Sequence, residues 1–483
     1  MIRWTQIGRI IGLFLIALAG AMMIPCAYSI ATGGDDLAPL AAAVAATAVA
    51  GGLLAGSCRS ARRELTQREG ILLTVAVWLA ASVFGGLPFL FAPGIETFTD
   101  AVFESASGVT TTGASVLVEV ERLSRPLLLW RALSSWLGGM GIVVLVIAVL
   151  PLVGHGGMHL YRAEFSGASS EKLSPRVAET AGSLWGIYVA LTGLLVVLLA
   201  VAGMGPFDAI AHAFATMATG GFSTRTASIG AFDSSAIEYI TTLFMVLGGC
   251  SFILHYRALI ERRPIAALRD YELRNFLGLV ALATLVEAAL LLFERGYPLE
   301  RALRTAVFQV SSITTTTGFA TDDFEAWPPL GQLLLLALMF TGGCTGSTAG
   351  GMKVSRLLVL VKVVGREFKR MVERHGVFVV RLGGSVIPEP SIQSLLNLVY
   401  LAFVVNFTSC LMLAAVGVDV FTAISAVAAT MFNIGPALAG VGPTDNYAGL
   451  PAIAKWVLCF DMIAGRLEFY TLLVTVTPWF WRK

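Results

Sequence analysis

The sequence predicts an all-α polytopic membrane protein in which four copies of one hairpin surround a single pore, preceded by two further transmembrane helices. Three observations carry this prediction. Apolar stretches long enough to cross a bilayer recur along the whole chain. Basic residues gather in segments that all fall on one side of those stretches. Four of the connections on the other side repeat one residue pattern.

Of the 483 residues, 56% are hydrophobic and 13% charged, and the mean hydropathy is +0.79. A soluble chain carries about 25% charge. Crossing ~30 Å of hydrocarbon takes about 20 apolar residues in a helix. Such spans read at 7–30, 38–57, 71–93, 127–152, 181–203, 235–256, 276–293, 330–356, 394–417 and 452–480. Arg3 and Arg9 precede the first span, as in a cleaved leader. That span is longer than the apolar core of about 7–15 residues in a signal peptide and has no clear small-residue cleavage site. The six cysteines (Cys26, Cys58, Cys250, Cys344, Cys410, Cys459) are scattered. No CxxC pair or Cys/His spacing suggests a zinc site or a disulfide framework.

Net charge is only +2, but its placement orients the chain. Most basic residues fall in six segments: Arg3 and Arg9; Arg59, Arg62, Arg63 and Arg68; Arg162, Lys172 and Arg176; Arg257 to Arg274; Lys353 to Arg381; and Arg482 with Lys483. With ten spans these segments share one side, so both termini are expected in the cytoplasm. The connecting loops are short, which argues against a nucleic-acid surface and for the positive-inside pattern.

The opposite connections carry the repeat. Asp100-Ala101-Val102 leads to Thr110-Thr111-Thr112-Gly113, and Asp208-Ala209-Ile210 to Ala218-Thr219-Gly220-Gly221. Thr305-Ala306-Val307 leads to Thr315-Thr316-Thr317-Gly318, and Thr422-Ala423-Ile424 to Phe432-Asn433-Ile434-Gly435. An Asp or Thr lies thirteen residues before each final glycine, and successive glycines are 108, 97 and 117 residues apart. Exposed Thr/Gly turns need no shared offset, so the fourfold phasing marks a true repeat.

Asp and Thr suit a helix N-cap. A helix of about nine residues would rise only ~14 Å, too little to cross, so each segment must enter the membrane and return. Its partly negative C-terminus then favours a cation at mid-membrane, and the glycine permits a left-handed turn. Non-helical backbone at that depth belongs inside protein or beside a water-filled path, where carbonyls can replace the hydration shell of an ion. The repeats divide the chain into an N-terminal helix pair at 1–66 and hairpins at 67–175, 176–270, 271–385 and 386–483.

With these turns in view, the chain resembles the TrkH subfamily of the Trk/Ktr/HKT potassium transporters over essentially its whole length. The glycine-rich run from Gly342 to Lys353 and the C-terminal Gly465-Arg466-Leu467-Glu468 add to the likeness. The resemblance implies a helix–pore loop–helix unit used four times, as in potassium channels, with K⁺ as transported ion and no cofactor. It implies ion-lining positions at Thr111, Thr112 and Gly113; Thr219, Gly220 and Gly221; Thr316, Thr317 and Gly318; and Asn433, Ile434 and Gly435. Relatives with serine at the first filter glycine tend toward sodium, so Gly113 favours potassium. Asn433 and Pro436 make the fourth turn the most divergent. The resemblance further implies a bacterial inner membrane location, a homodimer and a cytosolic, TrkA-like nucleotide-binding ring, for which the basic stretch 353–381 is a docking candidate.

Two features are candidates for a gate. Gly342, Gly343, Gly346, Gly350 and Gly351 fall within the third hairpin's outgoing span, just before Lys353. Glycine costs about 1 kcal/mol relative to alanine inside a helix, so an unwound segment is expected, which in the resembling family lies under the filter and obstructs the pore. Close helix packing through small residues is the competing reading. Gly346 and Gly351 have P-loop spacing, but Met352-Lys353-Val354 follows where Lys and then Ser or Thr are required. Arg466 lies mid-way along the last span. A charge there costs at least about 2.5–3.5 kcal/mol unless it meets water or a partner. On the pore axis it would oppose cations; alternatively it forms a buried pair with Asp461 or Glu468.

His212 reads as a packing or hydrogen-bonding residue. Asp322, Asp323 and Glu325 either concentrate cations at the outer mouth or are simply solvated, and Gly138-Gly139-Met140-Gly141 suits close helix packing. A membrane enzyme would need a converging nucleophile/base or metal set within the spans, and none is apparent. Potassium uptake through the four turns is the leading function, with a sodium- or proton-coupled symporter or a weakly selective K⁺/Na⁺ channel on the same pore as alternatives.

Overall fold

Long apolar runs form the periphery. The computed structural model describes residues 2–34, 36–58, 65–148 and 177–482. The basic residues Arg59, Arg62, Arg63, Arg162, Lys172, Arg176 and Lys483, and the end of the span predicted at 127–152, lie outside them. Trp4–Thr32 and Leu37–Ser57 form the N-terminal pair. Gln67–Gly85, Val177–Val201, Tyr271–Phe293 and Glu389–Ala415 each open one hairpin. Six described helices are long and apolar enough to cross a membrane, or seven if one bent pair counts as a single span.

Their outward faces are apolar. Ile16 and Met23, Leu194 and Val197, Leu282 and Leu285, and Phe403 and Phe407 are all exposed. Such a belt would aggregate in water and is at home in lipid. The four short helices are the reverse: in Phe98–Val109 every residue from Asp100 onward is buried, polar ones included. The protein is therefore a multi-pass membrane protein whose short helices lie buried at its centre.

Each hairpin goes in by a long helix, returns by a short one and leaves by a third. The short helices are Phe98–Val109, Pro206–Met217, Leu299–Thr314 and Val420–Met431. The N-cap reading of the repeated Asp or Thr needs correction. The caps are Thr97, Gly205, Pro298 and Asp419, while Asp100, Asp208 and Thr422 occupy the third helical position and Thr305 lies deeper. Each helix accordingly starts earlier than predicted and runs 12 or 16 residues.

The outgoing helices also depart from the prediction. The span at 235–256 is two helices, Ser235–Gly249 and Phe252–Leu259, bent by 101°. The break is closely packed: a Cβ on Gly249 would stand 2.8 Å from the Thr315 methyl. The span at 330–356 stops at Met339, and helix resumes only at Val354–Val372. The span at 452–480 ends at Arg466. Glu468 and Phe469 then take positive φ (57° and 54°) before Tyr470–Val476 begins. The all-α expectation has one small exception among the described residues, a two-stranded antiparallel ladder pairing Arg381 with Val386 and Leu382 with Ser385.

The outgoing helices reach the ends of the short helices through glycine. A Cβ on Gly138 would sit 1.9 Å from the Val109 carbonyl oxygen, and one on Gly465 would sit 1.7 Å from that of Met431. Both obstacles are backbone, so neither can turn aside. Gly465→Ala is expected to cost about 1–3 kcal/mol by overpacking and to lower the thermal midpoint in detergent. Gly278→Ala, whose Cβ would meet nothing within 4 Å, should leave the midpoint unchanged.

Candidate functional site

All four short helices end four residues before the glycine of their turn (109 to 113, 217 to 221, 314 to 318, 431 to 435). They stop in the same way. The N–H groups of Thr112, Gly220, Thr317 and Ile434 donate to the carbonyls of Ser107, Ala215, Ser312 and Ala429, each at 2.8 Å. Those of Thr111, Thr219, Thr316 and Asn433 donate to Gly108, Thr216, Ile313 and Thr430. Together the two bonds form a Schellman stop, which requires a left-handed residue. That residue is a non-glycine in every repeat, with φ of 57° at Thr111, 53° at Thr219, 55° at Thr316 and 56° at Asn433. For threonine such a conformation costs of order 1–3 kcal/mol and persists only where its surroundings enforce it.

Two residues on, Gly113, Gly221, Gly318 and Gly435 are again positive in φ (82°, 64°, 84° and 100°). Changing the sign of φ at alternate residues turns successive peptide groups toward one side of the chain. The glycines also close the ring. A Cβ on Gly113 would be 2.7 Å from the Gly220 carbonyl oxygen, and one on Gly221 would be 2.1 Å from that of Thr317. One on Gly318 would be 1.9 Å from the Ile434 oxygen, and one on Gly435 would be 2.5 Å from that of Thr112. Each turn thus abuts the next, and the fourth returns to the first. Among the described residues, the carbonyls of Thr112, Gly220, Thr317 and Ile434 accept no hydrogen bond from the protein.

Side chains hold the turns from behind. Asn433 donates 2.9 Å bonds to Thr112 Oγ1 and to the Met462 carbonyl, tying the fourth turn to the first. Tyr447 Oη donates to the Gly435 carbonyl at 2.7 Å. His212 joins Ser223 Oγ at 2.9 Å and the Asp208 carbonyl at 2.8 Å, in keeping with the hydrogen-bonding role predicted for it.

Outside the ring lies a cavity of about 90 Å³, lined by Gly113, Gly221, Gly318 and Pro436 among others. Asp445 on its wall neighbours Glu325, and burial followed by the charges of Asp445 and Asp323 pushes the Glu325 carboxyl up to about 7. Asp322 is engaged instead by Tyr297 and Trp327.

Sequence reasoning missed the pair that braces this mouth. Arg131 is ion-paired with Glu104, and neither is more than 4% exposed. Glu104 also accepts from Ser115 and the Val116 N–H, while Arg131 donates to the Ser223 carbonyl at 2.8 Å and lies 3.7 Å from the Phe222 ring centroid. The pair thereby joins the chain beyond the first turn to the chain beyond the second. A lone charge in each of two apolar segments was the available signal.

Beneath the ring, residues 340–353 are non-helical. Gly342 and Gly351 bring the two ends of this loop together, for a Cβ on Gly342 would be 2.8 Å from the Gly351 Cα. The loop meets three hairpins. Thr348 Oγ1 donates to the carbonyls of Met217 (3.0 Å) and Gly248 (3.1 Å). The Gly350 N–H donates to Thr316 Oγ1 at 2.6 Å, and that of Gly351 to the Phe432 carbonyl at 3.1 Å. Gly343 and Gly346 offer carbonyls to the N–H groups of Val354 and Phe252, and Lys353 Nζ turns back to the Ala349 carbonyl.

Arg466 completes the connection. It is 3% exposed and donates to the Thr348 carbonyl at 2.9 Å and, in the first hairpin, to that of Gly138 at 3.3 Å. The alternative pairing with Asp461 or Glu468 is not what the structure contains: Asp461 accepts from Ser409, and Glu468 pairs with Arg356.

A central ring of four re-entrant turns within a bundle of lipid-facing helices defines a polytopic membrane protein of the potassium-channel-like hairpin class. The chain belongs to the TrkH family of cation transport proteins, whose model matches residues 39–482. It is 43% identical over 486 residues to the Trk system potassium uptake protein TrkH of Escherichia coli K12, covering 99% of this chain and 100% of that one. It is 42% identical to the protein of the same name from Vibrio parahaemolyticus, covering 100% of both. The crystal structure of the potassium transporter TrkH from Vibrio parahaemolyticus matches with a TM-score of 0.91 at 39% identity, covering 99% of this chain and 100% of that chain.

Removing one member of a buried ion pair costs about 3–5 kcal/mol, whereas replacing both with apolar residues of similar volume is near neutral. Glu104→Gln should therefore lower the thermal midpoint in detergent markedly, and Glu104→Leu with Arg131→Met should recover most of the loss.

Proposed function

We propose that this protein takes up potassium across a bacterial inner membrane through the central ring, with both termini in the cytoplasm. The reading rests on one observation above the others: four buried carbonyls, one from each repeat, stand at the contacts between turns without a protein donor. Buried carbonyls are ordinarily paired, and a dehydrated monovalent cation is a partner that four converging oxygens can serve. The four short helices add their partly negative C-termini at the same level. By this reading the positions from Thr111 to Gly113, Thr219 to Gly221, Thr316 to Gly318 and Asn433 to Gly435 line the filter, chiefly through backbone. The relatives named as potassium uptake proteins support K⁺ as the ion.

The loop 341–351, with Lys353 and Arg466, is the barrier in this proposal. The loop lies against the inner ends of the second, third and fourth hairpins, and Arg466 links it to the first. A buried guanidinium there opposes cation passage electrostatically. The outer mouth, with Asp445 and the titrating Glu325, would gather cations. A homodimer and a cytosolic nucleotide-binding ring docking on the basic inner loops complete the assembly proposed.

Purified protein in liposomes should pass K⁺ and Rb⁺ in preference to Na⁺, and Gly113→Ser should shift that preference toward Na⁺. Unselective flux in the parent protein would remove the ring from this role. In the same assay Arg466→Ala should raise basal K⁺ leak severalfold; an unchanged leak would rule out Arg466 as part of the barrier.

A further inference from the structure

The bend of the second hairpin and the loop beneath the ring run side by side. The Cys344 N–H donates to the Gly249 carbonyl at 2.8 Å, and the Phe252 N–H donates to the Gly346 carbonyl at 3.0 Å. These two bonds bracket Cys250 on one chain and Cys344 on the other. The two thiols are neighbours, close enough to bear on each other electrostatically, and both are free cysteines. Cys344 is fully enclosed, while Cys250 keeps 6% of its surface exposed.

The backbone arrangement favours a disulfide. A cross-link needs Cα atoms about 4.4–6.8 Å apart and side chains turned toward each other. The backbone bond from Cys344 to the residue before Cys250 brings the two positions side by side, and the adjacency of the thiols favours the second condition. Neither sulfur supports the ring, and the remaining cysteines have no such neighbour among the described residues.

We infer that Cys250 and Cys344 form a redox site: a peroxide converts the pair to an intramolecular disulfide that fastens the intramembrane loop to the bend of the second hairpin. The Cys250 sulfur, the one that keeps some exposure, attacks a peroxide oxygen and gives up its proton, becoming a sulfenic acid while the other oxygen leaves and takes that proton to form water. The second thiol attacks that sulfur, the S–S bond forms, and the sulfenic oxygen departs as a second water. Each sulfur gives up one electron and the peroxide accepts both. A dithiol reductant reverses the reaction by exchange.

The consequence follows from position. Cys344 precedes Thr348, whose carbonyl receives Arg466, so a covalent tether at Cys344 restricts the part of the loop that meets the guanidinium. That the tether lowers ion flux rests on the loop being the barrier proposed above; the thiol chemistry does not.

The test uses the full-length protein in liposomes exposed to graded hydrogen peroxide, with three readouts. Peptide mapping after thiol blocking should recover a linked peptide joining Cys250 to Cys344. Amide exchange across 345–351 should slow, and Rb⁺ flux should fall by most of its value and return with dithiothreitol. Cys250→Ala, or Cys250→Ser if the alanine variant does not purify as a native-like species, should show none of these responses to peroxide. Recovery of the two residues unlinked, or a linked peptide without slowed exchange, overturns the inference. Absent flux before oxidation counts against potassium uptake, while the peptide and exchange readouts still decide the redox site. Linkage and slowed exchange with unchanged flux would uphold the site and reject the loop as the barrier.

Discussion

Backbone that leaves the helix within a bilayer must be enclosed by protein, because hydrocarbon offers no partner for an N–H or a carbonyl. This protein leaves the helix four times at its turns and again at 340–353, and the rest of the molecule follows from enclosing those segments. The long helices face lipid outward and surround short helices rich in Ser and Thr. The loop beneath the ring places the N–H groups of Cys344, Thr345, Gly350 and Gly351 on acceptors of the hairpins it touches. Glycine appears where the enclosure is tightest: Gly138 and Gly465 press on carbonyl oxygens that no side chain would clear.

The same enclosure explains how the ring sustains strain. Three threonines and an asparagine hold left-handed conformations at equivalent places, at a cost the surrounding packing must offset. Repeated Schellman bonds fix each turn to its helix, and neighbouring turns fix each other through the glycine contacts. The braces between hairpins are not repeated. Arg131 with the Ser223 carbonyl, Arg304 with Glu238 and Lys455 with Asp100 use different residues and geometries. Backbone symmetry is therefore closer than side-chain symmetry, as expected where the backbone forms the ring and side chains only hold it.

Charge placement completes the arrangement. Acidic groups sit outside the ring, while Arg466 stands on the inner side against two carbonyls rather than a carboxylate. A guanidinium held by neutral acceptors keeps its charge uncancelled, as the proposed barrier requires. A direct ion pair would cancel much of that field.

The sequence by itself determined the class, the four turns and their glycines, because apolar length and a shared thirteen-residue offset are local properties of the chain. It also marked 341–351 as non-helical and Arg466 as anomalous, since five clustered glycines and a charge inside an apolar run each violate a local rule. Only the tertiary structure decided where helices begin and break. The caps moved to Thr97, Gly205, Pro298 and Asp419, and the outgoing spans broke at Cys250, Met339 and Arg466. Capping bonds and packing against the next hairpin outweigh residue preference at such boundaries. The meeting of Cys250 with Cys344, of Glu104 with Arg131 and of Arg466 with Thr348 also belongs to the fold. These residues are separated in sequence, and nothing local specifies which of them meet.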